Sequence, residues 1–283
     1  MSSLEEAIVN WYAANKRDLP WRNSTPWGVM VSEFMLQQTP VVRVLPKWNE
    51  WMLRWPTPQD LASASTAEVI TAWGRLGYPR RALRLHQCAK IISRDFNGRV
   101  PDTEEELRAL PGIGDYTAAA IAAFAFDARS LVLDINIRRL FARVLDGVEA
   151  PSASPSNKER LARTQLIPKN HAHVWAAATM ELGALICTSR NPKCVECPLA
   201  STCQWKATGY PASDLPRRTQ NWHGTDRQCR GVIVQALREN PALHKYELEK
   251  LWHDDSQIER ALSTLIKDGL ISLNENSLYS LFV

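Results

Sequence analysis

Four cysteines constrain this chain more than any other feature. The stretch CTSRNPKCVECPLASTC, residues 187 to 203, spaces Cys187, Cys194, Cys197 and Cys203 as C-x6-C-x2-C-x5-C. A fold for this sequence must gather those thiols in one short, proline-containing loop directly after the helical run MELGALIC. No apolar run approaches the roughly 20 residues needed to span a bilayer, and the N-terminal MSSLEEAIVNWYAANKR lacks the apolar core of a signal peptide. The chain is therefore expected in the cytoplasm, away from membranes. A reducing compartment disfavours disulfides, so a tight cluster there points to a metal or iron–sulfur site. Spacing alone leaves two occupants open. Only Cys194 and Cys197 form the C-x2-C pair that zinc sites usually show twice, which favours an iron–sulfur cluster over zinc. Cys88, in a helical pattern, and Cys229, in the linker region, read as bystanders.

Elsewhere the periodicity is helical. STAEVITAWGRLG, RALRLHQCAKIISRDF, EEELRALPG and INIRRLFARVL repeat apolar residues three and four apart, and alternating patterns are nearly absent before residue 270. The first 205 or so residues are thus expected to be all-α. Thr25-Pro26 and Thr39-Pro40 each offer an N-cap followed by proline at the first helical position. EAPSASPSNKER (149–160) reads as a loop and GYPASDLPRRTQNWHGTD (209–226) as a linker. Beyond it, three helical segments and the hairpin ISLNENSLYSLFV suggest a winged-helix-like module. The 283 residues suffice for two compact units and a small third. A formal net charge of +4 and eleven tryptophans, several beside basic residues, are compatible with nucleic acid without pointing to it.

Three local features carry chemistry. In LRALPGIGDYTAAAIAAFAF, Gly112 and Gly114 permit a tight turn, and the next helix begins with free backbone N–H groups that suit a phosphate; a hairpin that merely packs is the plain alternative. Asp134 ends the apolar run SLVL just before a helix. It reads as an N-cap, whose backbone hydrogen bonds and helix dipole keep a carboxylate ionised. Glu33 stands alone in the apolar WGVMVSEFMLQQT, where an ionised side chain is costly unless paired, for instance with Arg17 or Arg22 of KRDLPWR.

The cysteine loop, the L-P-G-I-G hairpin and the segment L-D-x-N-x-x-R at 133–139 together resemble the helix-hairpin-helix iron–sulfur DNA glycosylases, the endonuclease III and MutY-like group. VSEFMLQQT resembles the adenine-specific, MutY-like branch, and the layout is most like its short actinobacterial form. The resemblance covers roughly residues 4 to 210. It implies a mainly α fold of two helical domains, with a 4Fe-4S cluster on the four cysteines. The expected boundaries are 1–22 with 130–210 for the cluster domain, 23–129 for the helical barrel and its hairpin, 211–224 for the linker and 225–283 for the C-terminal module.

It also implies roles. Glu33 would be the general acid, its pKa raised by apolar surroundings, and Asp134 the fixed anion, with Asn136 beside it. Tyr116 stands where bifunctional relatives carry a Schiff-base lysine, so a monofunctional enzyme is expected. Gln37, Gln38 and Thr39 match minor-groove residues, and Leu36 beside them is expected toward DNA. Leu76 and Tyr78 are wedge candidates beside Arg81, and Pro79 departs from the family's L-G-Y-Y-x-R. Arg17 and Arg22 are expected toward DNA or orienting the acid. Gly112 and Gly114 would grip phosphates. The expected partner is double-stranded DNA carrying adenine opposite 8-oxoguanine or guanine, bound by a monomer. Two alternatives remain: a glycosylase for thymine or uracil opposite guanine, and a non-enzymatic iron–sulfur regulator.

Overall fold

The computed structural model describes residues 3–213 and 222–282, so part of the expected linker, including Arg217 and Arg218, lies outside the described residues. Helices dominate. The first six are α1 (Ser3–Asn15), α2 (Pro26–Leu36), α3 (Val41–Arg54), α4 (Pro58–Ser63), α5 (Thr66–Trp73) and α6 (Arg80–Asp95). Next come α7 (Glu104–Ala109), α8 (Asp115–Phe126), α9 (Ile135–Val144), α10 (Asn157–Thr164), α11 (Ala172–Leu185) and α12 (Gln204–Ala207). The C-terminal part holds α13 (Asp226–Glu239), β1 (Leu243–His244), α14 (Lys245–Glu249), α15 (Asp255–Lys267), β2 (Ile271–Leu273) and β3 (Leu278–Leu281).

Local chemistry sets most helix starts. Thr57 and Ser65 form reciprocal capping boxes with Asp60 and Glu68, satisfying N–H groups that helix geometry leaves without partners. Thr25 accepts from the Gly28 amide at 3.2 Å, as expected of an N-cap. Thr39 does not cap: α3 begins at Val41 with Pro40 as its N-cap, and the Thr39 hydroxyl donates instead to the Leu76 carbonyl at 3.1 Å. The 149–160 loop is also shorter than expected, because Ser156 caps α10 through the Glu159 amide.

By compactness the chain forms two interleaved units: Met1–Val29, Asp102–Ala109 and Ile113–Arg217 make one, and Met30–Pro101, Leu110–Gly112 and Arg218–Val283 the other. This differs from the expected boundaries at 22/23 and 129/130. Helix α8 belongs with the cluster-bearing unit because Ala119, Ala120 and Ala123 pack into one core with Ile8, Ile137, Leu140, Phe141, Trp175 and Leu182. Alanines let helices approach closely, and there the run AAAIAAFAF finds its apolar partners.

In the second unit, Trp51 sits between Trp55 and Trp73 in edge-to-face pairs, with centroids 4.8 and 5.4 Å away. Its indole donates to the Ala72 carbonyl. Helices α13 to α15 and an antiparallel sheet of order β1-β3-β2 enclose Cys229, Ile233, Leu248, Ile258, Leu265 and Leu281. Ile70 of α5 lies in that same core, with Ala67 and Leu83 against it. Cys229 is therefore a buried helix residue rather than part of a linker.

Candidate active site

Asp134 is the N-cap of α9. One carboxylate oxygen accepts from the Ile137 amide and the other from the Asn136 Nδ2, each at 2.6 Å. Asn136 Oδ1 in turn accepts from Arg139 at 2.9 Å, and Arg139 donates onward to the carbonyls of Gly183 and Cys187 at 2.6 Å each. A continuous set of hydrogen bonds thus runs from the carboxylate to the backbone of the first cluster cysteine. Gly183 makes this possible. A Cβ there would lie 2.6 Å from the Asn136 carbonyl oxygen, so only glycine lets α11 approach α9 so closely.

Burial pushes the Asp134 carboxyl above its ordinary value, against the opposing pull of the Ile137 amide, the Asn136 side chain and amide, and the Arg139 charge. The expectation was of a carboxylate kept ionised by its N-cap hydrogen bonds, and burial works against those bonds. N-capping does favour the anion, but desolvation outweighs it.

The four cysteines line one small cavity together with Arg143, Pro192 and Trp205. Burial first, then the neighbouring Cys187, Cys203 and Cys194, raise the Cys197 thiol to about 11 against a hydrogen bond from the Leu199 backbone. The Cys187 and Cys197 thiols, both raised first by burial and further by neighbouring cysteines, are suited to a cationic group beside them. Arg143 completes the surround. It donates to the Cys187 Sγ at 3.4 Å and the Thr188 carbonyl at 2.7 Å, and its guanidinium lies 4.4 Å from the Trp205 ring.

Arg17 and Arg22 are paired within their own unit. Both reach the buried Glu181, Arg17 at 2.9 and 2.7 Å through its Nε and Nη2, Arg22 at 2.9 Å. Burial raises the Glu181 carboxyl, but these donors more than offset it and hold it below the ordinary carboxylate range. Tyr116 is partly buried against the alanine-lined core of the same unit.

Glu33 is buried on α2, only 6% exposed. The residues after it divide into inward and outward sets. Arg81, expected toward DNA, is buried and donates to the carbonyls of Phe34, Met35, Gln37, Leu76 and Gly77 and to the Thr39 hydroxyl. It ties the end of α2 to the Leu76–Gly77 turn. Leu76, expected as a wedge, is buried as well, and so is Thr39. Gln38 and Tyr78 remain outside, both with left-handed backbone, φ 55° and 48°. A non-glycine residue held there is costly and needs its surroundings to fix it, and Arg81 does so from within. In the hairpin Gly112 has φ +81°, with Arg84 against it so closely that a Cβ would meet Arg84 Cδ at 2.5 Å. Gly114 is the N-cap of α8, which has no side-chain cap.

Comparison with known proteins gives the family. The chain is 48% identical to the adenine DNA glycosylase of Mycobacterium tuberculosis strain ATCC 25618 / H37Rv, over 97% of this chain and 92% of the relative. It belongs to the adenine DNA glycosylase family. A second adenine DNA glycosylase, from Mycolicibacterium smegmatis, is 44% identical over 99% of this chain and 97% of its own, and the Homo sapiens one is 39% identical over 72% and 39%. Residues 31–165 match the HhH-GPD superfamily base excision DNA repair protein model, and residues 187–203 the iron-sulfur binding domain of endonuclease III. The iron–sulfur binding domain match begins at Cys187 and ends at Cys203, so all four cysteines fall within it.

The adenine DNA glycosylase family member also shares its fold with a thermostable thymine-DNA glycosylase (TM-score 0.65, 24% identity, 72% of this chain and 95% of that one). A non-covalent endonuclease III–DNA complex gives 0.63 and 19%, over 72% and 94%. Sequence reading missed Glu181, Gly183 and Arg143. The first two lie in MELGALIC, where a carboxylate and a glycine interrupt an apolar helix face. That interruption was the available signal.

Proposed function

We propose that this chain is a monofunctional DNA glycosylase that hydrolyses the N-glycosidic bond of adenine opposite 8-oxoguanine or guanine, acting as a monomer and leaving an abasic site. The observation that carries the reading is the Asp134 carboxylate: braced by two 2.6 Å hydrogen bonds, yet with its charge made costly by burial. Such an anion is stabilised most by a cation that develops beside it, and departure of a base leaves the sugar as an oxocarbenium ion. Asn136 fixes the orientation of Asp134, and Arg139 fixes Asn136.

Glu33 is the proton donor. Adenine is a poor leaving group as an anion and a good one once protonated at N7, and a buried carboxylic acid can deliver that proton and then assist water. Tyr116 offers no amine, so no Schiff base with the sugar forms and the strand is not cut. Reaction at this bond requires the base to leave the stack. Gln38 and Tyr78, both exposed, are the residues placed to support an opened duplex, while Arg81, Thr39 and Leu76 act on them from inside. The uncapped N-terminus of α8 offers backbone N–H groups to a phosphate.

The test is a panel of duplexes carrying A·8-oxoguanine, A·G, T·G and U·G, scored for alkali-labile sites. Adenine strands alone should become labile, and Glu33→Gln and Asp134→Asn should each slow release by roughly 10²-fold or more while DNA still binds. Labile thymine or uracil strands, or no lability anywhere, would overturn the reading.

A further inference from the structure

The second unit contains a groove of about 1040 Å³ formed where α13 faces the segment from Gly74 to Arg84. Its volume is at or above the roughly 300–1,000 Å³ of small-ligand sites, and it is open. Eight arginines line it and one acidic residue, Glu239. They are not equivalent. Arg81 is committed to internal carbonyls, and Arg80 and Arg230 share Asp268 at 3.4 and 2.6 Å. Arg43, Arg75, Arg84 and Arg238 have no carboxylate within ion-pair distance among the described residues. Arg43 reaches only the Arg75 carbonyl, and Arg238 only the Ile70 carbonyl and the Gln235 amide oxygen. Burial first, and then the Arg75 charge, lower Arg238 to about 10. At Arg43, Arg75, Arg84 and Arg238, positive charge is concentrated with no carboxylate partner among the described residues.

Aromatic rings stand beside it. Arg227 of α13 donates to the Tyr78 hydroxyl at 2.7 Å, and its guanidinium lies 5.7 Å from the Tyr78 ring and 5.1 Å from the Trp222 ring. Tyr78 and Trp222 are 39% and 47% exposed. Exposed rings interleaved with guanidinium groups offer stacking faces to bases and forked donors to phosphates. Gln37 and Gln38 line the same groove, which therefore continues from the segment assigned above to the opened duplex.

We propose that the C-terminal module is part of the DNA-binding surface: the groove takes the phosphate backbone of the substrate, and Trp222 and Tyr78 receive an unstacked base beside it. This rests on the glycosylase reading for the identity of the DNA, but the module's role is new to it. Neither matched family model extends past residue 203, so the C-terminal residues of the groove lie outside both.

The experiment uses the full chain and two labelled duplexes, one fully paired and one with a central A·G mispair, with affinity measured across salt concentrations. Each lost phosphate contact lowers the slope of log affinity against log salt by about 0.9. Arg75→Gln with Arg227→Gln should lower it by about 2 on both duplexes, and Arg75→Lys with Arg227→Lys should restore it. Trp222→Ala, at an exposed ring, should leave the slope alone but weaken the mispaired duplex roughly fivefold or more relative to the paired one. Arg94→Gln, at an exposed site outside the groove, should leave slope and affinity unchanged.

An unchanged slope in the glutamine double variant, or an equal loss in Arg94→Gln, would overturn the proposal. So would failure of the lysine pair to restore it. These are binding measurements, so they remain readable if the wild-type chain releases no base, the outcome that would instead sink the glycosylase reading.

Discussion

The arginines of α9 and the arginines of the groove are the same residue type used for opposite purposes. On α9, Arg138, Arg139 and Arg143 are all buried, yet each has its donors matched. Arg138 pairs with Glu159 at 2.7 and 2.8 Å, Arg139 serves Asn136 and two carbonyls, and Arg143 serves the cysteine loop. In the groove Arg75 and Arg84 are exposed and face no carboxylate among the described residues. A guanidinium whose acceptors are supplied by its own chain works as a strut. One whose acceptors are missing works as a receptor. Burial does not separate the two classes, since Arg81 and Arg238 are both lowered to about 10 by desolvation and still differ in what they face. The acceptors differ: Arg81 has six from its own chain and Arg238 two.

That comparison is broken most severely by removing a strut. Arg139→Ala strands the Cys187 and Gly183 carbonyls, and each buried group left without a partner costs about 1–3 kcal/mol. Thermal unfolding should move down by roughly 4–12 °C, and iron content should fall with it. Retention of wild-type iron content and melting would show that the hydrogen bonds of α9 do not hold the cluster loop. Glu181→Ala comes next. It leaves Arg17 and Arg22 facing an emptied site, and breaking a buried ion cluster costs roughly 3 kcal/mol. Because the Glu181 carboxyl is held below its ordinary value, its contribution is present near neutrality. It is lost as pH falls through that lowered pKa, so wild type and variant should converge in strongly acid melts.

A smaller effect of opposite sign is expected at Asp134. Its carboxyl is raised, so the folded state binds the proton more tightly than the unfolded chain and stability falls as pH rises through the raised value. Asp134→Asn keeps an N-cap and removes the charge. It should melt higher than wild type at pH 8 and lose that advantage on acidification, even as base release collapses. Equal melting at all pH values would mean that desolvation does not act on this carboxylate. Least of all, Arg94→Gln should stay within about 0.5 kcal/mol of wild type, as exposed substitutions do.

Much of this was legible in the chain. The cysteine spacing, the helical periods and the glycine turn are local signals, and the local structure follows them. The misreadings share one cause. Arg81 looks like a solvent-facing cation within a basic run, and only the folded arrangement turns it toward the end of α2. Thr39 has a good cap sequence, but the Leu76 carbonyl offers its hydroxyl a competing partner. Asp134 reads as an ordinary cap because sequence reveals its hydrogen bonds and hides its desolvation. The alanines of α8 were expected with the barrel, since small residues name no partner until a second helix is laid across them. Gly183 is the counterpart: its meaning lies entirely in a carbonyl 47 positions earlier.

Ile70 sits inside the core of the C-terminal helices, and Arg238 of α13 clasps the carbonyl of that same isoleucine. The last sixty residues are thus no detachable appendage. A premature stop codon anywhere in α13 would strip the cover from α5 and leave an oily flank on the repair half, so such an allele should behave first as a folding lesion, cleared by proteases before any question of DNA arises.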